Sequence, residues 1–270
     1  MEQVIHFLQK QMEKPAIFSW FHLFAFISIA AVTFLLSFFF HDAKEKTYKR
    51  ILFIFWISLL VLEVIKQILR SFHYGSPSYW EFSSGDFPFH ICSMLYYLIP
   101  IILFVNKEKH PKIIDAIVGY LSFVSLFSGL AVCIYTDMVM SSLMFTNVQS
   151  LVHHGSQVAL GVFIFVWNRK DVTIKTTYRS LIAFGITAVI AIIINVIIHP
   201  LYINMFFINP LRLTNLPIFY IIQEKAGFFV YLIVYLIGIV LITYLIYFIE
   251  ISIYKLTLKR KEKKQNFERS

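Results

Sequence analysis

The sequence predicts an all-α, polytopic membrane protein: a bundle of seven transmembrane helices with the N-terminus outside and the C-terminus inside. Three observations carry that reading. Of 270 residues, 59% are hydrophobic and only 14% charged, against about 45–50% and 25% in soluble domains, too little polar surface to wrap a soluble core. Seven continuous apolar runs each approach the roughly 20 residues a helix needs to cross a bilayer core. Lys and Arg are concentrated in every second loop. The same composition excludes disorder, and continuously apolar runs exclude the alternating pattern of a β-barrel. Helices remain, because hydrocarbon offers the backbone no hydrogen-bond partner.

Residues 1–15 form a polar, amphipathic N-terminal segment in which Val4, Ile5, Leu8 and Met12 share one face of a short interfacial helix. The first apolar run is too long for the core of a cleaved signal peptide. The membrane domain, 16–254, divides into spans at 16–40, 51–70, 88–105, 113–135, 147–168, 179–203 and 226–250. The loops at 41–50, 106–112 and 169–179, with the tail after Tyr254, hold 18 Lys and Arg, against 5 in the segments on the other side. That asymmetry sets the orientation and accounts for much of the net charge of +9. The basic tail, 255–270, reads as a cytoplasmic segment facing anionic lipid, not nucleic acid.

Polar residues inside spans are costly and mark function, and here they gather at one depth. Glu63, Lys66 and Gln67 lie in the outer half of span 2, with Arg70 at its exit; His90, Cys92 and Ser93 open span 3; His153, His154 and Gln157 lie a few residues into span 5; Asn195 and His199 close span 6; His22 has a similar depth in span 1. Glu63, Lys66 and Arg70 share a helical stripe, as do His153 with Gln157 and Asn195 with His199. The expectation is a polar chamber open to the outer leaflet and lined by spans 2, 3, 5 and 6.

Within it, Cys92 stands near a helix start signalled by Asp86 and Pro88, where a thiol can turn nucleophilic. A buried inert cysteine, or a disulfide to Cys133, is the plainer alternative. His90 and Cys92, two apart, point about 160° away from each other unless the first turn is irregular. His154 suits a general base or proton relay, while His153 reads as a packing residue. Adjacent histidines point about 100° apart, so no single-helix metal motif exists; a composite zinc site from Cys92, His90 and His154 is conceivable, but no metal or other cofactor is expected. Glu63 and Lys66 neutralise each other, or else Lys66 and Arg70 hold a phosphate head group. Asn195, Gln157 and His199 are further substrate-binding candidates, with interhelical bonding as the alternative for Asn195. The segment 204–225, rich in Asn and Pro, folds back over the outer mouth as a lid or is a plain loop.

The run DFPFHICSM at 86–94, the HHG at 153–155 and the stretch from Asn195 to Tyr202 resemble the YwaF-like family of bacterial integral membrane proteins, over most of the chain from span 2 to span 7. The best piece is Pro88, Phe89, His90 and Cys92. That family is distantly similar to the eukaryotic transmembrane protein 164 family, regarded as acyltransferases acting on ether phospholipids through an intramembrane Cys and His. The resemblance implies Cys92 as nucleophile and His154 as base. Leu201 departs from the Asn that usually precedes the Tyr, leaving His199 or Asn204 to substitute.

The expected function is therefore a membrane-lipid acyltransferase or acyl hydrolase with Cys92, His154 and His90 at its centre and a phospholipid acyl chain as partner. A proton-coupled transporter using Glu63, Lys66 and His154, or a seven-helix ligand-binding sensor, are the alternatives. Seven spans do not divide into the two halves common in transporters, and topology alone argues weakly for a sensor.

Overall fold

The computed structural model describes residues 2–74, 77–198 and 203–269. Among these, six helices are long and apolar enough to cross a membrane: α2 (Trp20–Phe40), α3 (Glu45–Ser71), the continuous stretch Pro111–Ile134, α7 (Met144–Asn168), α8 (Ile174–Ile197) and α9 (Phe219–Arg269). The third expected span is shorter than the others. It begins with a 3-10 turn at Ile91–Ser93 and continues as α4 (Met94–Phe104). Helix cannot start at Pro88 as the sequence suggested, because His90 is extended (φ −89°, ψ 164°). Sequence reading thus gives seven spans where the structure has six long helices and one short apolar one.

The stretch Pro111–Ile134 is itself composite. Helix α5 (Pro111–Gly119) passes through a π-helical turn at Tyr120–Ser125 into α6 (Leu126–Ile134). This stretch and α7 form the buried centre of the bundle, while α2, α3, α8 and α9 surround them with largely exposed apolar surfaces. Such surfaces are what lipid requires, and the chain is a multi-pass membrane protein.

Glycine sets the spacing at the central contacts. A Cβ on Gly129 of α6 would stand 2.7 Å from the Gln157 Cβ and 2.8 Å from the His154 carbonyl oxygen of α7. A Cβ on Gly161 would meet the Leu126 Cβ at 2.8 Å, and one on Gly155 would meet Ile29 of α2 at 2.6 Å. Gly119 plays the same part between α5 and α8, 2.8 Å from the Thr176 carbonyl oxygen. Small residues at these points let helix backbones approach without the water-driven collapse that soluble bundles use.

The basic end is stitched by polar contacts outside the apolar layer. Arg169 binds Asp42 at 2.5 Å and the His41 carbonyl at 2.8 Å, and Trp167 donates to the Ala43 carbonyl at 2.8 Å. Asp115 accepts from Thr176 and Arg179 of α8. At the other end, a two-stranded ribbon pairs Phe72–His73 with Tyr79–Trp80. The N-terminal helix α1 (Glu2–Leu8) packs there through Ile5 and Leu8 against Leu69 and Phe72. Val4, expected on the same face, is exposed. Helix α9 breaks at Gly227 (φ 82°), a conformation that glycine alone adopts without strain.

Replacing Gly129 by Val should force α6 away from α7 and lower stability by about 1–3 kcal/mol, the usual cost of overpacking. Gly185→Ala, where a Cβ meets nothing within 4 Å, should leave it unchanged or slightly raised; thermal unfolding in detergent compares the two.

Candidate functional site

Residues 84–93 leave the helical path at a depth where most of the chain is helix. Their main-chain carbonyls are served by side chains from neighbouring helices. The Asp86 carbonyl accepts from Gln67 of α3, and the Pro88 carbonyl from the Tyr97 hydroxyl at 2.9 Å. The Cys92 carbonyl accepts from two residues of α7, His153 through Nε2 at 3.1 Å and Gln157 through Nε2. Irregular backbone within a membrane protein persists only where protein supplies such partners.

Because the Cys92 carbonyl only accepts, it fixes the protons around it. His153 carries its proton on Nε2, so its Nδ1 accepts from the Tyr96 hydroxyl 2.9 Å away. Gln157 presents its NH2 to the carbonyl and leaves Oε1 for the Nδ1–H of His154, at 3.3 Å. Ser128 of α6 approaches the same oxygen at 3.3 Å. This leaves Nε2 of His154 as a lone pair with no hydrogen-bond partner among the described residues. The Cys92 sulfur and ring nitrogens of His153 and His154 lie within 4.8 Å of one another. All of these groups but Cys92, which is half-buried, are buried.

A second polar group adjoins the first through Tyr96. Glu63 of α3 pairs with Lys66 at 2.9 Å and accepts from Gln67 at 2.8 Å and from Gln149 of α7 at 3.5 Å; Tyr96 is 3.1 Å away. With Glu63 already served by three donors, the single Tyr96 proton goes to His153. Arg70 is engaged by Asp86 at 2.9 Å. Both cations expected to hold a phosphate therefore have carboxylate partners within the protein.

Spans 2, 3 and 5 converge here as the sequence reading expected, but span 4 joins them through Ser128 in place of span 6. Asn195 of α8 uses both ends of its amide on Met205, donating to its carbonyl at 2.9 Å and accepting from its N–H at 2.6 Å. His199 lies outside the described residues. The segment after α8 does fold back over this end. Phe206, wholly buried, packs between Phe89 and Phe184. Phe206 and Phe207 have φ of 56° and 63°, a strained conformation for side chains of this size. The Asn195 bonds, with Tyr231 donating to the Phe207 carbonyl at 2.6 Å, hold it. His90 faces the Phe207 ring, with centroids 6.0 Å apart, and its place beside Cys92 and His154 is taken by His153.

Sequence reasoning missed Tyr96 and Gln149, while His153, read as a packing residue, is bonded through both ring nitrogens. A weak signal existed: Tyr96 follows Cys92 by four residues and Gln149 precedes His153 by four, one helical turn in each case. Both cysteines are free thiols, so no disulfide joins Cys92 to Cys133; the Cys133 carbonyl instead accepts from His22 Nε2 at 2.8 Å, the Nδ1 of that ring accepting from the Phe18 N–H. One thiol and two imidazoles are donors that zinc takes. A metal there would need a ring nitrogen of His153 released from Tyr96 or from the Cys92 carbonyl.

The sequence model of the TMEM164 family matches residues 17–257, from just before α2 to well into α9. This is the more distant of the two families that the motifs resemble. No curated protein and no solved structure matches the chain.

Asp86, at the entrance to this irregular segment, is held below the usual carboxylate range: burial pushes it up, but the Ser83 hydroxyl and the Arg70 guanidinium outweigh that. A lowered value means that its stabilisation is present above the ordinary carboxylate range and is lost as pH falls through the folded value. Asp86→Asn should therefore unfold at a lower temperature than the parent at neutral pH, with the gap closing toward about pH 3.

Proposed function

The chain belongs to the TMEM164 family, and from that membership and the Cys92–His154 pair we propose that it is a thiol-dependent acyltransferase or acyl hydrolase acting on membrane lipids. The observation that carries the reading is the Cys92 sulfur beside an imidazole whose tautomer leaves Nε2 as an acceptor. A nucleophile, a base and a third group that orients the base form the arrangement that covalent acyl transfer needs. Gln157 is that third group, a positioning residue that grips both the Cys92 main chain and the His154 ring.

In this reading the Cys92 thiol gives its proton to His154 Nε2 as sulfur attacks the ester carbonyl of a phospholipid. The S–C bond forms, the ester C–O bond breaks, and the departing alcohol takes the proton from His154. The acyl group rests as a thioester on Cys92. A lysolipid hydroxyl, or water, then gives its proton to His154 and attacks the thioester carbonyl, and the C–S bond breaks as His154 returns that proton to the leaving sulfur. His153, bonded through both ring nitrogens, positions the Cys92 main chain and does not touch the reacting atoms. Lys66 and Arg70 contribute a positive field at the entrance, reduced by their carboxylate partners.

The proposal includes the topology that presents this site to lipid. Ile91–Phe104 is the third of seven crossings, short because residues 88–90, which are not helical, replace its first helical turn. The Lys and Arg of the loops and tail face the cytoplasm, where the tail meets anionic lipid. The Cys–His pair then opens toward the outer leaflet.

Incubation with a phospholipid bearing an alkyne-tagged acyl chain should leave a hydroxylamine-sensitive adduct on Cys92. Cys92→Ala should abolish the adduct and lipid turnover while the protein still inserts. His154→Gln should cut turnover by about 100-fold or more, within the range ascribed to general-base loss. Undiminished turnover in Cys92→Ala would overturn the reading.

A further inference from the structure

An apolar groove of about 400 Å³ runs between α2, α6 and α7, on the side of α7 turned away from the Cys92 carbonyl. Its α2 wall is Phe26, Ile29, Ala30, Thr33, Phe34 and Ser37; Leu130 and Cys133 of α6 and Val158 and Val162 of α7 complete it. We infer that this groove holds the fatty acyl chain of the phospholipid ester that Cys92 attacks, an inference that rests on the acyl-transfer reading and gives it a chain-binding subsite.

Three observations converge on a chain as the occupant. The first is length. From Phe26 to Ser37 the groove follows twelve residues of α2, about 16 Å for the rises between them at ~1.5 Å per residue. One leaflet's share of a hydrocarbon core about 30 Å thick is ~15 Å, so the groove has the length of one lipid chain. The second is chemistry. The walls are hydrocarbon apart from the Thr33 and Ser37 hydroxyls and the Cys133 thiol, and α2 presents its other face outward as exposed Phe24 and Ile27. A chain can therefore enter sideways from the bilayer without passing through water.

The third observation is continuity with the reacting groups. At about 100° per residue, His153 and Gln157 face one side of α7, toward the Cys92 carbonyl. Val158, Val162 and Gly155 face the other, toward the groove and Ile29. His154 falls between the two sets, one turn before Val158. An ester at His154 thus has its chain leading directly along Val158 and Val162 toward the basic end. At the groove's opposite end the contact of His22 Nε2 with the Cys133 carbonyl, 2.8 Å, closes α2 onto α6, which leaves one direction for the chain to run.

The test uses full-length protein in phosphatidylcholine nanodiscs doped with a phosphatidylcholine that carries a diazirine at the far end of one acyl chain. After irradiation, adducts are mapped by peptide mass spectrometry in the parent, Cys92→Ala, Ala30→Trp and Ile186→Trp proteins. Ala30→Trp fills the groove from an exposed position, and Ile186→Trp places the same ring on an exposed position of α8. The inference expects adducts within residues 26–37 and 158–162, equal in the parent and Cys92→Ala, unchanged in Ile186→Trp and reduced about tenfold in Ala30→Trp, the effect of two or more methylenes left unburied. Labelling spread evenly over all exposed helices, or undiminished in Ala30→Trp, overturns it. Because Cys92→Ala binds without reacting, groove labelling with no thioester in the parent supports the subsite and removes only the acyl-transfer reading. A thioester on the parent with no groove labelling removes only the subsite.

Discussion

The backbone of this membrane protein departs from helical geometry between residues 84 and 93. Main-chain groups freed from a helix must find other partners, at a cost of several kcal/mol for any that is buried without one. Gln67, Tyr97, His153 and Gln157 supply those bonds. In doing so they place titratable and amide side chains around one main-chain carbonyl next to a thiol. The polar cluster is thus first a solution to a backbone problem, and its geometry follows from where the Cys92 carbonyl points. The same bonds decide which imidazole is spent on structure and which retains a free lone pair.

The helices can deliver those side chains only because they lie unusually close. Gly129, Gly155 and Gly161 let α6, α7 and α2 meet with little more than backbone between them. Gln157 then reaches from α7 to the turn before α4 while Ser128 reaches it from α6. The Glu63–Lys66 pair adjoins this cluster through Tyr96 and is itself fully bonded. A buried ion pair of this kind contributes little net stability, and removing one partner leaves an uncompensated charge. Because Lys66, Gln67 and Gln149 already serve Glu63, the Tyr96 proton is left for His153.

Much of this architecture was legible in the sequence, because the bilayer imposes length and polarity rules that composition exposes directly. The positions of six long helices follow the apolar runs to within a few residues, apart from the longer ends of α3 and α9 and from α8, which starts five residues and ends six residues earlier than expected. The clustering of Glu63, Lys66, Cys92, His154 and Gln157 followed from counting depth along each span. What was hidden depends on departures from regular helix. Treating span 3 as helical from Pro88 made His90 and Cys92 mutually exclusive and gave no reason to pair Cys92 with both His153 and His154. The 3-10 turn at Ile91–Ser93 changes that by aiming a carbonyl, not a side chain, at α7. Asn195 was misplaced for a related reason: an amide inside a span marks a polar partner without saying whether that partner is substrate or main chain, and here it is Met205.

The π-helical turn at Tyr120–Ser125 carries one more residue than an ordinary helical turn would. Because the extra residue is absorbed within that turn, excising one residue there would return an ordinary helical turn and leave Ser128, Gly129, Leu130 and Cys133 facing as they do. A deletion in the regular turns of α5 would instead rotate all four by about 100°, off α7 and out of the groove wall. The six positions are thus a stretch where chain length can change by one without resetting the phase of α6.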